Sequence, residues 1–213
     1  MRKIIRTSYY EYEWAVGGRL VKIPINVTKT SGCYAEILDA DIRELVSMLS
    51  NYSKVLTVRF VLRIDEHTDN NPKVSKFLKP LRRWSERRYD SLFGYIWARE
   101  HNEAEKQHYH ITLMLNGDTA NEQSAYDIIA RAEHIAQIQG LSIGRCKNQS
   151  IMVRRGDLKT FLSTINRDSY IAKENTKLKF KGISANSFSA SRIKQNFDKL
   201  CLVMPQLNLA EMY

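Results

Sequence analysis

Gln107-His108-Tyr109-His110-Ile111-Thr112-Leu113-Met114-Leu115 is the stretch that decides the fold. Successive side chains on a β-strand point to opposite faces of the sheet, so this alternating run predicts a strand. Its apolar face is formed by Tyr109, Ile111, Leu113 and Leu115. His108 and His110 share the other face, where two imidazoles can hold one divalent metal ion. Alone, the triplet is also compatible with two surface histidines that bind no metal.

Further strands and helices are predicted on both sides of this run. In chain order they are strand 55–65, helix 71–89, strand 91–100, the His108/His110 strand, helix 120–139, strand 151–154 and helix 157–174. The short link 101–106 makes the second and third strands an antiparallel hairpin. This order predicts an α+β fold of the split βαβ type, similar to a ferredoxin. We expect a mostly antiparallel central sheet with helices packed on one face and the other face open.

The chain divides into three predicted segments. Residues 1–53 form an appendage, with a hairpin over 8–28 turning at Gly17-Gly18 and a helix after it. Residues 54–185 form the core, and 186–213 a helical tail with a helix over 189–202. We see no signal peptide and no apolar stretch of membrane-spanning length, so no membrane partner is expected. Three scattered cysteines indicate a reducing compartment, and hence the cytoplasm.

The charge of the chain favours a polyanionic partner. The net charge is +10, and residues 145–195 carry twelve Lys/Arg against three Asp/Glu. Clustering of this kind is typical of proteins that bind nucleic acid. The alternative is a solvated basic surface that keeps the chain soluble.

The predicted open face brings the charged groups of the strands together. Its members are Thr57, Arg59, Arg63, Glu100, His108 and His110. Glu100 ends the neighbouring strand on the same face and is the candidate third ligand, with a surface glutamate as the alternative. Two imidazoles and a carboxylate suit Mg²⁺ or Mn²⁺ held for Lewis-acid chemistry. Asp65, His101 and Glu103 are the substitute ligands.

A second element of the site is Tyr170-Ile171-Ala172-Lys173. Residues three apart on a helix share a face, so the phenol and the ammonium are expected to lie together. A tyrosine becomes a good nucleophile when its proton is lost, and a nearby cation favours that loss. The alternative is a surface helix with Tyr170 packed at its edge.

Together these motifs resemble the HUH endonucleases. The chain has His-x-His on a strand, an acidic residue eight positions earlier and Tyr-x-x-Lys on a later helix. It resembles single-tyrosine rolling-circle replication initiators most, and residues 95–115 and 169–173 are similar to replication proteins of filamentous (inovirus-type) phages and their prophage relatives. The resemblance covers roughly residues 54–185. Tyr109 replaces the usual aliphatic residue, and Glu174 stands where two-tyrosine members carry a second tyrosine.

The resemblance implies a mechanism and a set of roles. His108, His110 and Glu100 would bind the divalent ion, and Tyr170 would attack single-stranded origin DNA to give a 5′-phosphotyrosine and a 3′-hydroxyl that primes replication. Lys173 would orient the tyrosine or offset negative charge. Residues expected to contact DNA phosphates are Arg59, Arg63, Arg154, Arg155, Lys177, Lys179 and Lys181.

The expected setting is the cytoplasm of a bacterial host cell, with a host helicase and polymerase as further candidate partners. No Walker-type phosphate loop is present in the sequence. Two other functions fit the same residues. One is a non-catalytic nucleic-acid-binding module with an open sheet face, and the other is a metal-dependent nuclease that uses water and no covalent tyrosine.

Overall fold

The computed structural model describes residues 3–14, 16, 18–64, 70–102, 105–174 and 187–208. At the start of the chain, β1 (Ile4–Ile5) pairs with β4 (Cys33–Tyr34). The predicted hairpin is present as β2 (Tyr9–Glu13) and β3 (Leu20–Pro24). Helix α1 (Ala35–Asn51) follows directly.

The remaining elements alternate between strands and helices. They are β5 (Lys54–Arg63), α2 (Pro72–Tyr89), β6 (Gly94–Asn102), β7 (Glu105–Asn116), α3 (Glu122–Ile138), β8 (Ser142–Arg154), α4 (Leu158–Asp168), a 3₁₀ turn (Ser169–Ala172), β9 (Phe188–Ala190), α5 (Phe197–Leu200) and α6 (Pro205–Asn208). Local signals explain several helix starts. Pro72 occupies the first turn of α2, Asn121 and Ser124 form a capping box at α3, and the Asp157 carboxylate accepts a hydrogen bond from the Thr160 N–H at α4.

Five strands form one sheet in the order β8-β5-β7-β6-β9, with every neighbouring pair antiparallel. Strands β5 and β6 are joined by α2 and separated by β7, which is the predicted split βαβ arrangement. The predicted α+β class is therefore confirmed. One face of the sheet packs on α2 and α3 through alternate apolar residues. Those of β5 and β7 are Leu56, Val58, Phe60, Leu62, Tyr109, Ile111, Leu113 and Leu115.

The second face of the sheet is covered, which corrects the expectation that helices pack on one face only. Helix α1 buries Leu45 and Leu49 in the same cluster as Ile96 and Met114 of the sheet, and α4 adds Phe161. The strands carry both apolar and charged residues on this face, and this mixed pattern by itself predicts a face exposed to solvent. The apolar members are sufficient to hold α1 against the sheet.

The C-terminal segment also differs from its prediction. A helix was expected over 189–202, but β9 extends the sheet alongside β6 and only Phe197–Leu200 is helical in α5. Because the edge of β6 presents unpaired backbone groups, a short strand that pairs with it is favoured over a local helix. The turn after β9 is held by the Glu44 carboxylate, which accepts hydrogen bonds from the Ser191 hydroxyl and from the N–H groups of Arg192 and Ile193.

Candidate metal centre

The β6–β7 register sets the two sides of the candidate metal centre opposite each other. Glu100 pairs with His108 and Ala98 pairs with His110, so all four side chains share one face. Glu100 and His110 are buried, and the His108 side chain is 12% exposed. The structure thus brings together the three metal ligands expected from the sequence. The substitutes Asp65 and Glu103, and the side chain of His101, lie outside the described residues.

The three donor atoms have the spacing of a metal site. The distance from Glu100 Oε2 is 3.1 Å to His110 Nε2 and 3.4 Å to His108 Nε2. One donor atom from each of the three residues lies within 4.8 Å of the other two. Adjacent ligands of an octahedral ion with bonds of about 2.1 Å are about 3 Å apart, so the donor set fits a divalent ion such as Mg²⁺ or Mn²⁺.

Burial keeps His110 in the form that binds metal. Loss of solvent lowers the pKa of the His110 imidazole below its ordinary value, and the adjacent Glu100 carboxylate only partly opposes this effect. His110 is therefore neutral near pH 7, with a lone pair to donate. Its Nδ1 atom has no hydrogen-bond partner within the described part of the chain. The hydrogen-bond partner of the ring is the Glu100 carboxylate, on its Nε2 side.

Tyr170 reaches the metal centre from the 3₁₀ turn that follows α4. Its ring centroid lies 5.5 Å from that of His110, in an edge-to-face contact, and the residue is 37% exposed. Lys173 lies over the same phenol, with its Nζ atom 4.6 Å from the ring centroid. The predicted pair of phenol and ammonium is therefore formed, on a 3₁₀ turn instead of the predicted α-helix.

The turn that carries Tyr170 is anchored by the N-terminal part of the chain. The Asn26 N–H donates to Ser169 Oγ at 2.8 Å, and the Glu174 N–H donates to the Gly32 carbonyl at 2.9 Å. Cys33 pairs with Lys173 through an isolated β-bridge. These contacts join residues more than a hundred positions apart, so no local sequence pattern predicts them.

Arg59 is buried behind Tyr170, which changes the role expected for it. Its Nη1 atom donates to the Arg167 carbonyl at 2.9 Å and lies 4.0 Å from the Asp168 carboxylate. Its Cζ atom is 5.2 Å from the centroid of the Tyr170 ring. A buried guanidinium in this position does not offer an exposed grip on DNA. It places a positive charge beside the phenol.

Arg59 belongs to a buried ionic cluster next to Tyr170, whose other members are Arg167, Asp168 and Asp41. Arg167 binds Asp168 through two hydrogen bonds of 2.8 and 3.1 Å and also donates to the hydroxyl of Thr57 at 3.0 Å. Asp41 of α1 is buried in the same cluster, and neither of its oxygens has a hydrogen-bond partner among the described residues. Burial, with repulsion from Asp168, raises the pKa of the Asp41 carboxyl well above its usual range.

The other cations expected to contact DNA have different positions. Arg63 is exposed and pairs with His108 across β5 and β7, so it borders the metal centre. Arg154 is also exposed but pairs with Lys54 at the opposite end of β5, roughly 30 Å away. Arg155 caps α1 by donating to the Leu49 carbonyl at 2.8 Å. Lys177, Lys179 and Lys181 lie outside the described residues.

A groove of about 960 Å³ lies between α1 and the segment 188–197. Its walls include the exposed cations Arg43, Arg192 and Lys194, together with Phe197, which is 79% exposed. Glu36, Asp39 and Glu44 line the same groove; of these, Glu44 is engaged with the 191–193 turn and Asp39 accepts a hydrogen bond from the Tyr10 hydroxyl at 2.6 Å. Phe188 of β9 pairs with Ala98, so the groove borders the sheet face that carries Glu100.

Residues 21–132 match the family model of the YagK/YfjJ C-terminal domain. The match spans more than half of the chain, and the protein belongs to this prophage-associated family. No curated protein and no solved structure was found to match the chain. The matched segment contains Glu100, His108 and His110 but ends before Tyr170. Within the described residues, no helix is both long and apolar enough to cross a membrane.

Proposed function

We propose that this protein is an HUH-type endonuclease that nicks single-stranded DNA through Tyr170 and initiates rolling-circle replication. The observation that carries the proposal is the contact between the rings of Tyr170 and His110. These residues are sixty positions apart, and a phenol beside two imidazoles and a buried carboxylate supports the assignment of Tyr170 as a nucleophile at a metal centre. A surface tyrosine without a chemical role would not be expected to have these surroundings.

The chemistry is an in-line transfer of a phosphodiester to the phenol. Glu100, His108 and His110 would hold a Mg²⁺ or Mn²⁺ ion, which would supply Lewis-acid polarisation of the scissile phosphate. Tyr170, which is 37% exposed, loses its proton to water and its oxygen forms a bond to phosphorus, while the bond from phosphorus to the 3′-oxygen breaks and that oxygen takes up a proton from water. Lys173 and Arg59, on the ring of Tyr170, stabilise the negative charge that develops on the phenol oxygen.

A single nucleophile fits the surroundings of Glu174. This side chain has a structural task, because it accepts a hydrogen bond from the Gly32 N–H and pairs with Arg6 at 2.9 Å. It stands where two-tyrosine relatives of the proposed class carry a second tyrosine. One covalent strand transfer per polypeptide is therefore the mechanism we propose.

The DNA strand has a candidate path on the same side of the sheet. Arg63 borders the metal centre, and the groove beside α1 offers Arg43, Arg192 and Lys194 to the phosphates and Phe197 as a surface on which a base stacks. We propose that the reaction takes place in the cytoplasm of a bacterial host. A host helicase is a further partner, and a host polymerase extends the 3′-hydroxyl.

A covalent protein–DNA adduct tests the proposal. A pool of randomised single-stranded oligonucleotides with a 3′ fluorophore is incubated with the protein and Mn²⁺, and adducts are sought on a denaturing gel. The 3′ label stays on the protein because the tyrosine bonds to the 5′-phosphate of the downstream fragment. Tyr170→Phe should abolish the labelled band. The matched control is Tyr126→Phe, which alters an exposed tyrosine on α3 and should retain the band.

Each of the other outcomes would indicate a different mechanism or function. An adduct that survives in Tyr170→Phe would show that another residue is the nucleophile. Cleavage without an adduct would indicate a metal-dependent nuclease that uses water. Binding without cleavage in Mg²⁺, Mn²⁺ or other divalent ions would indicate a non-catalytic nucleic-acid-binding module.

A further inference from the structure

Helix α2 carries a dense positive charge on the side of the molecule opposite the metal centre. It contains seven basic residues and one acidic residue, Glu86, which gives the helix a net charge of +6. Its neighbour α3 carries Glu122, Asp127 and Glu133 against Arg131 and is net acidic. The charge of α2 is therefore a property of this helix and not of the whole face.

Packing fixes which side of α2 faces solvent. Val74, Phe77 and Leu81 are buried in the core beneath the sheet. Lys76, Lys79, Arg83 and Arg87 are all exposed on the opposite side of the helix. Because these four are spaced by three, four and four positions, they form one row about 16 Å long.

Among the described residues, no carboxylate pairs with the charges of this row. The Glu86 side chain binds Arg82, at 2.7 Å from its Nε atom. Lys76, Lys79 and Arg83 form no ion pair with any described residue. Within the described part of the chain, the Arg87 guanidinium donates only to the backbone carbonyl of Arg83. Four like charges this close together repel one another, and a polyanion relieves that repulsion.

We propose that this row, the α2 basic face, binds the phosphate backbone of double-stranded nucleic acid. Cations that repeat every turn of a helix suit a ligand with closely and regularly spaced phosphates. A single strand is usually held by exposed aromatic rings that stack on its bases. The aromatic residues of α2 do not offer such a surface, because Phe77 and Tyr89 are buried and Trp84 is half-buried in an edge-to-face contact with Tyr89, with ring centroids 5.7 Å apart. A duplex keeps its bases inside and needs no stacking surface.

A lipid surface fits this face less well. Helices that lie in a membrane insert an apolar side into the bilayer, and the apolar side of α2 is occupied by the protein core. The α2 basic face and the metal centre lie on opposite faces of the sheet, so each can bind its ligand independently of the other. This proposal goes beyond nicking and does not depend on it.

Fluorescence anisotropy with a labelled 20-base-pair duplex of random sequence tests the proposal. Binding is measured in EDTA over a series of salt concentrations, in the Tyr170→Phe background, so that the result does not depend on cleavage chemistry. We expect the triple variant K79Q/R83Q/R87Q to bind about tenfold more weakly or worse. The slope of log K against log salt should fall by about 2.7, which is the loss of three phosphate contacts.

The matched control removes the same charge elsewhere. Lys29, Lys159 and Lys199 are exposed on three separate parts of the chain, and K29Q/K159Q/K199Q should keep most of the affinity and of the salt slope. Equal losses in the two triple variants would overturn the proposal, since only net charge would matter. It would also be overturned if the α2 variant lost binding to phosphatidylserine vesicles, or to single-stranded DNA, while its duplex binding was unchanged.

Discussion

On strand β7, Leu113 and Thr112 are adjacent in sequence and both fully buried, yet they belong to different environments. Leu113 packs among the apolar side chains between the sheet and α2 and α3. Thr112 lies on the face shared with His110 and Arg59, and its hydroxyl has no hydrogen-bond partner among the described residues. An unpartnered buried polar group costs free energy. Both faces of the sheet therefore contribute apolar packing, but the face of Thr112 also retains buried polar groups whose presence stability does not explain.

The largest expected effect, on adduct formation, comes from removing the histidine ligands on the sheet face that carries Thr112. His108→Ala combined with His110→Ala should reduce adduct formation at least about 1,000-fold, because the ion that polarises the phosphate is no longer held. Salt-sensitive DNA binding should largely persist, since the proposed phosphate contacts lie elsewhere. Adduct gels and anisotropy on the same preparations check both statements. Unchanged cleavage would remove the metal centre from the mechanism.

A truncation on the sheet face that packs on α2 and α3 should have the opposite effect: it should lower stability and leave metal binding intact. Leu113→Ala should lower the free energy of unfolding by about 2–5 kcal/mol, because it leaves a cavity in a closely packed core. Urea unfolding monitored by tryptophan fluorescence measures the loss. The fraction that stays folded should still bind Mn²⁺, since the metal ligands point to the other face. Loss of metal binding by fully folded protein would show that the two faces are coupled.

Asp41→Asn should stabilise the protein, and more so at high pH. The pKa of Asp41 is raised in the folded state, so folding favours its protonated form and stability falls as pH rises from about 4 through the raised pKa. Asparagine removes this dependence. Asp168, Arg167, Arg59 and Glu44, which surround the site, are present in both proteins.

We expect the gain in unfolding free energy from Asp41→Asn to reach about 1–3 kcal/mol at pH 8 and to be smaller at pH 5. Urea titrations of both proteins at the two pH values measure it. A variant that is less stable than wild type at pH 8 would show that the ionised carboxylate is needed to balance Arg59 and Arg167.

The smallest expected effect is that of Thr112→Val. Valine has nearly the same shape as threonine and lacks the unpartnered hydroxyl, so the free energy of unfolding should rise by about 1 kcal/mol. Thermal unfolding of the two proteins side by side provides the measurement. A loss of stability would mean that the hydroxyl has a partner in solution, such as a water molecule, and that this face is better satisfied than its protein contacts indicate.

Much of the fold and half of the candidate site could be predicted because their signals are local. Alternation along β7 sets the direction of each side chain, and the β6–β7 hairpin fixes which residues face each other within a few positions. The spacing of Tyr170 and Lys173 likewise lies within a single turn. Most of β8 was missed, because residues 142–150 lack regular alternation and the strand contains a bulge opposite Val58–Phe60.

The α+β class, the split βαβ order and the shared face of Glu100, His108 and His110 all follow from local patterns in the amino-acid sequence. Each of these depends on strand periodicity or on a short hairpin. Long-range packing, in contrast, sets α1 over the sheet face that carries Thr112, sets Arg59 behind Tyr170 and lets Asn26 anchor the turn of Ser169 from 143 positions away. Such contacts are set by which surfaces exclude water when the whole chain collapses, and no local pattern encodes them.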